Sequence, residues 1–194
     1  MTRERLTAFT DGVLAVIITI MVLEMKPPHG ADLAALCALW PVFLSYALSF
    51  VYVAIYWNNH HHFFQLVERV DGAILWANLH LLFWLSLIPF ATAWMGENHN
   101  APLPTALYGV SQLMPAVAWS VMQAVIIRRQ GAASPLRRAI GADLKGKLSP
   151  YIYASGVGLA FVNPLIADAL YLAAALMWLV PDRRVEAALD GAGD

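Results

Sequence analysis

A 20-residue apolar run near the amino terminus, Leu6 to Met25, limits what this chain can become. As a helix it is ~30 Å long, about the hydrocarbon thickness of a bilayer. Asp11 and Glu24 interrupt it toward its two ends, and between them only Thr19 carries a hydrogen-bonding side chain. A carboxylate one or two turns inside a membrane helix is costly unless something pairs it, so Asp11 marks a buried polar site. Gly12, Val16, Thr19, Ile20 and Leu23 recur at helical spacing and form one stripe along one face. Taken alone, such a stripe packs against neighbouring helices, where small and hydroxylated residues are common.

The rest of the chain agrees with a membrane setting. Of 194 residues, 60% are hydrophobic and 13% charged, where soluble domains carry about 25% charged residues. The first run is too long and too acidic for a cleavable leader, and no small-x-small site closes it. Cys37 is the single cysteine, which excludes an intramolecular disulfide and disfavours a cysteine metal site. The expected fold is all-α and polytopic, with six membrane helices at about 6–25, 33–57, 73–95, 104–127, 148–162 and 164–180. They form a single domain over residues 1–181, followed by a polar tail at 182–194. Lys26-Pro-Pro-His-Gly30 breaks the chain after the first helix, and Asn163-Pro164 separates the last two. Read without that second break, the end of the chain would be one helix too long to span once.

Six spans place both termini on one side. Eleven of the 12 basic residues then share that side: Arg3, Arg5, Arg69, Arg128, Arg129, Arg137, Arg138, Lys145, Lys147, Arg183 and Arg184. Lys26 alone lies on the other. This asymmetry puts both termini in the cytoplasm of a bacterial-type inner membrane. The basic fourth connection could touch anionic lipid headgroups, although the topology rule alone accounts for it.

The motif Arg5-x-x-x-Phe9-Thr10-Asp11-Gly12, leading into an aliphatic helix with Thr19 and closing on Leu23-Glu24, resembles the first-helix signature of one family. These are the bacterial relatives of the endolysosomal potassium channel called transmembrane protein 175. The usual family form has Ser where this chain has Thr10, so the hydroxyl is kept. Trp57-x-Asn59-His60-His61, Asn78-Leu79 and Pro89-Phe90 match further family positions. The resemblance implies a homotetramer whose first helices line a pore. It implies a constriction at Val16, where relatives often carry Ile or Leu. It implies a potassium-preferring hydroxyl at Thr19 and further apolar layers at Ile20 and Leu23. Glu24 would form an acidic ring at the outer mouth. Arg5, Phe9, Thr10 and Asp11 would meet Trp57, Asn59 or His60, and Asn78 in a buried polar junction. One of the adjacent histidines His60, His61 and His62 is expected to face Asp11.

The expected function is a potassium-permeable cation channel, with permeant potassium ions, the bilayer and further copies of the chain as partners. No catalytic residue, cofactor, resident metal or nucleic-acid partner is expected. The chain lacks the Thr-Val-Gly-Tyr-Gly filter of common potassium channels and an arginine-rich voltage-sensing helix. It also lacks a glycine-rich phosphate loop and a nucleophile elbow. Two alternatives remain open at this level: a proton or poorly selective cation leak, and a small haem or metal protein using His60 to His62.

Overall fold

The computed structural model describes residues 2–131, 134, 136–137, 141 and 143–179. The chain is all-helical there: α1 (Arg3–Glu24), α2 (Leu33–Ala38), α3 (Trp40–Gln65), α4 (Gly72–Leu85), α5 (Ile88–Glu97), α6 (Pro102–Gln130), α7 (Leu144–Leu159) and α8 (Pro164–Leu179). Among the described residues four helical lengths are long and apolar enough to cross a membrane: α1, α3, the α4–α5 pair over Gly72–Glu97, and α6. The shorter α8 is also apolar.

Local chemistry sets most of the boundaries. The Thr2 hydroxyl accepts from the Arg5 amide at the start of α1, and Asp32 and Asp71 cap α2 and α4 in the same way. Two expected helices are broken. The one expected over 33–57 is divided between α2 and α3, with Pro41 in the first turn of α3. The one expected over 73–95 is divided between α4 and α5, with Pro89 in the first turn of α5. A proline ring collides with the carbonyl four residues back and supplies no donor to it. For Pro89 that carbonyl belongs to Leu85, the last residue of α4. Other ends differ as well. α3 runs to Gln65 rather than 57, so Trp57 to His62 are helical. α6 runs from Pro102 to Gln130 despite Pro115, and α7 occupies Leu144–Leu159 rather than 148–162. The expected end of the last helix at 180, the tail at 182–194, and Arg138, Arg183 and Arg184 lie outside the described residues.

Two apolar clusters hold the bundle. The first joins Leu6, Leu14, Ile17 and Met21 of α1 to Phe63 and Phe64 of α3, Ile74, Leu81 and Leu85 of α4, and Met122 and Ile126 of α6. The second joins Tyr52, Met95, Tyr108, Tyr153, Tyr171 and Ala174. α6 contributes to both and packs on α4, α5, α7 and α8. Several polar groups beside the second cluster are paired. The Ser49 hydroxyl lies 2.7 Å from Thr92 Oγ1 and 3.0 Å from the Tyr108 hydroxyl, joining α3, α5 and α6. Tyr52 donates to the Tyr171 carbonyl, and the Tyr171 hydroxyl donates to the Thr105 carbonyl.

Tyr171 of α8 lies fully buried between Gly109 of α6 and Gly156 of α7. A β-carbon at either glycine would collide with its ring. Overfilling a packed core costs about 1–3 kcal/mol, more than alanine's helix propensity returns. Gly156→Ala is therefore expected to lower the melting temperature of the detergent-purified protein by several degrees. Gly158→Ala, two residues on, meets nothing within 4 Å and serves as the control. Thermal unfolding followed by tryptophan fluorescence compares the two.

Candidate pore site

α1 has two unlike faces. Leu6, Thr10, Leu14, Ile17 and Met21 are buried against the rest of the chain. They recur at spacings of three and four and so form one face. α3, α4 and α5 supply the surface they meet. Gly12, Val16, Thr19, Ile20 and Leu23 lie on the other side and are exposed, Val16 at 55% and Leu23 at 78%. A β-carbon at Gly12 would meet nothing within 4 Å. Among the described residues no helix of the same chain covers this stripe.

Thr19 is the polar residue of the stripe. Its hydroxyl donates to the Val16 carbonyl at 2.9 Å. That bond uses the hydroxyl proton and leaves oxygen lone pairs to accept, so the exposed group is an oxygen donor toward a cation. Glu24, at the carboxy-terminal end of α1, is exposed. Close by, Lys26 and Glu97 pair at 3.4 Å and tie the loop after α1 to the end of α5.

A buried hydrogen-bonded chain holds the opposite face. Asn78 Nδ2 of α4 donates to Thr10 Oγ1 at 3.0 Å. Asn78 Oδ1 lies 2.9 Å from His60 Nε2 of α3. With the asparagine amide in this orientation, His60 Nε2 is the donor. Thr10, Asn78 and His60 are each at most 2% exposed, and the His60 ring stacks on Phe64 with centroids 4.3 Å apart. Three helices therefore meet at one satisfied polar chain inside an apolar cluster.

Asp11 belongs to a separate, more open pair. Its carboxylate accepts from Trp57 Nε1 at 3.0 Å. Asp11 is exposed within the single chain, one position around the helix from Thr10. The expectation that a histidine faces it is corrected: the indole of Trp57 does. His61 stacks on Trp57 and bonds Gln65, while His60 is turned to Asn78. His60 and His61 point to different partners, and the His62 ring meets His61 edge-on, as angular separation on a helix requires. Among the described residues no group of three His, Cys, Asp or Glu is placed to hold a metal ion.

The other expected members stand apart. Arg5 and Phe9 are exposed, and Asn59 lines a small cavity with Tyr56, Trp119 and Tyr153. One contact was not anticipated: Arg3 Nη1 donates to the Gln65 carbonyl at 3.0 Å, fastening the start of α1 to the end of α3. A cation near a helix carboxy terminus is favourable there, and this was the available signal.

A multi-pass helical chain whose first helix is fastened on one face and bare on the other has the build of a channel subunit. The family described as endosomal/lysosomal potassium channel TMEM175 matches residues 5–89. A potassium channel of Chryseobacterium sp. (strain P1-3) is 53% identical over 189 residues, which are 97% of this chain and 98% of that one. The crystal structure of a lysosomal potassium-selective channel TMEM175 homolog from Chamaesiphon minutus aligns with a TM-score of 0.80 at 28% identity, covering 93% of this chain and 97% of that one. The human endosomal/lysosomal proton channel TMEM175 is 26% identical over 64% of this chain, which spans 25% of the human protein. The chain belongs to the TMEM175 potassium channel family, a family of ion channels and not of enzymes.

The geometry ranks the junction residues. Asn78→Leu leaves the polar atoms of Thr10 and His60 without their partner in an apolar interior, at about 1–3 kcal/mol for each unsatisfied group. Trp57→Phe removes one exposed bond and keeps most of the aromatic surface. Asn78→Leu is expected to lower the thermal stability and the yield of assembled protein well below those of Trp57→Phe. Melting temperature and size-exclusion profile in detergent check the order.

Proposed function

We propose that four copies of this chain form a potassium-permeable channel, with their α1 helices around the axis. The observation that carries this reading is the bare stripe of α1. It is exposed in one chain, its one side-chain oxygen is that of Thr19, and it lies opposite the face that Thr10 fastens. One such helix cannot enclose a pore, so the stripe needs copies of itself. Each subunit is read as six spans, with α7 and α8 as the fifth and sixth. Each has 16 residues, somewhat short for a bilayer, and short helices are accommodated by local thinning. Both termini face the cytoplasm of a bacterial inner membrane, following the distribution of basic residues.

In this assembly Val16 forms the constriction. Four aliphatic side chains converging on an axis make a narrow ring that water leaves. Dehydrating a cation there costs of order 20 kcal/mol by the idealised Born estimate, so a dry ring blocks ions without a plug. Thr19 lies one turn further along the stripe. Four hydroxyls, each already donating to its own helix, offer acceptor oxygens to a partly hydrated potassium ion. Ile20 and Leu23 continue the apolar lining, and the four Glu24 carboxylates concentrate cations at the outer mouth. Asp11 stays with Trp57 and supports the wall.

A proton or poorly selective cation leak is the second reading. Val16 favours it, because valine seals a ring less completely than a longer side chain. Reversal potentials in potassium, sodium and pH gradients separate the two readings. The divergent contacts of His60, His61 and His62 argue against a haem or metal protein.

Two substitutions test the lining. Thr19→Val keeps the shape and removes the oxygen; it is expected to reduce potassium-over-sodium preference while some conductance remains, as read from bi-ionic reversal potentials. Val16→Ala is expected to raise basal potassium flux per assembled tetramer in liposomes, and Val16→Ile to leave it level or lower it. If Val16 only packs a helix interface, Val16→Ala lowers stability and leaves that flux unchanged.

A further inference from the structure

The end of α6 and the start of α7 enclose a cleft of about 800 Å³, lined by Arg128, Arg137, Lys147 and Tyr151. It lies far from the pore stripe in the chain, and the channel reading does not use it. Among the described residues three cations line it with one carboxylate, Asp143. That carboxylate is engaged: Oδ1 accepts from the Gly146 amide at 3.0 Å and caps α7, while Oδ2 accepts from Gln123 Nε2 at 3.2 Å. Arg129, beside Arg128, pairs with Asp71 at 3.2 Å. Arg128, Arg137 and Lys147 have no carboxylate partner among the described residues. Arg137 is exposed, and its neighbour Leu136 is fully buried in the same cluster as Met122 and Ile126 of α6, which anchors the backbone there.

An apolar strip adjoins these charges. Leu144, Leu148 and Tyr151 recur at spacings of four and three on α7 and are 71%, 45% and 71% exposed. A helix that shows such a strip at a membrane boundary offers it to acyl chains. Clustered cations beside it suit a phosphodiester, which arginine binds with well-matched geometry. The asymmetry of basic residues explains why cations lie on this side of the membrane. It does not explain their convergence on one cleft next to an exposed apolar strip.

We propose that this cleft binds the headgroup of an anionic phospholipid of the cytoplasmic leaflet, with Arg128, Arg137 and Lys147 on the phosphate and Leu144, Leu148 and Tyr151 along the first part of a chain. The proposal rests on the membrane orientation given above and not on conduction. A lipid held there would brace α6 against α7 on the outer side of the subunit.

The test is native mass spectrometry of the full-length protein in detergent, titrated with phosphatidylglycerol or phosphatidylcholine. Wild type is expected to retain phosphatidylglycerol at least tenfold more tightly. The triple substitution R128Q/R137Q/K147Q should bring it to the phosphatidylcholine level, and R69Q, which removes a cation outside the cleft, should leave it unchanged. If the triple variant does not fold, R128Q and K147Q singly should each weaken retention several-fold, and no effect from either overturns the site. Equal retention of the two lipids, or an equal loss in R69Q, also overturns it. Inorganic phosphate at millimolar concentration forms a separate arm: if it occupies the cleft while phosphatidylglycerol does not, the ligand is free phosphate and the lipid assignment fails. Binding is read without flux, so a wild type that retains phosphatidylglycerol but does not conduct overturns the channel reading and not this one.

Discussion

The hydrogen-bonded chain from Thr10 through Asn78 to His60 determines how α1 can sit. At membrane depth there is no water to satisfy a polar side chain, and each unmet group is costly. Asn78 meets both needs, donating to Thr10 and accepting from His60 at 3.0 and 2.9 Å. Turning α1 about its axis would break the first of these bonds and lift Leu6, Leu14, Ile17 and Met21 from the core together. The rotation of α1 is therefore defined, and with it the direction of the opposite face.

That face carries the function in the proposed assembly. Gly12, Val16, Thr19, Ile20 and Leu23 have no cover from the described residues of their own chain. Around an axis, the same stripe becomes an apolar ring followed by a ring of oxygens. The remaining helices act as the wall behind it. Tyr171 wedged between Gly109 and Gly156, and Ser49 bridging Thr92 and Tyr108, bind that wall into one body. In this arrangement the parts that select and gate ions lie on one helix, and the parts that resist its displacement lie on the others.

Much of the arrangement was legible in the sequence because helical periodicity is a strong signal. The stripe from Gly12 to Leu23 and its isolated hydroxyl are visible without coordinates. The resemblance carried by Phe9-Thr10-Asp11 and Trp57-x-Asn59-His60 pointed to the right family. Less legible was which polar groups pair. Asp11, Trp57, Asn59 and three histidines all lie near one end of the bundle, and pairing depends on angular position to within a fraction of a turn. Trp57 took Asp11, His60 took Asn78, and Asn59 faced a different cavity. Helix interruptions were hard for a related reason. Pro41 and Pro89 break their helices while Pro115 does not, and a proline carries no local sign of whether its surroundings will accommodate it.

The central claim is that the Val16 side of α1, and not the Leu14 side, faces the ion path. Cysteine accessibility during flux measures this directly. Cys37 is exposed and is the only cysteine, so Cys37→Ser supplies a clean background. In that background a small thiol-reactive cation is applied to liposomes bearing Val16→Cys or Leu14→Cys. The account predicts that potassium flux through the Val16→Cys protein is blocked and that the Leu14→Cys protein conducts unaffected. Block at Leu14→Cys with none at Val16→Cys would contradict it.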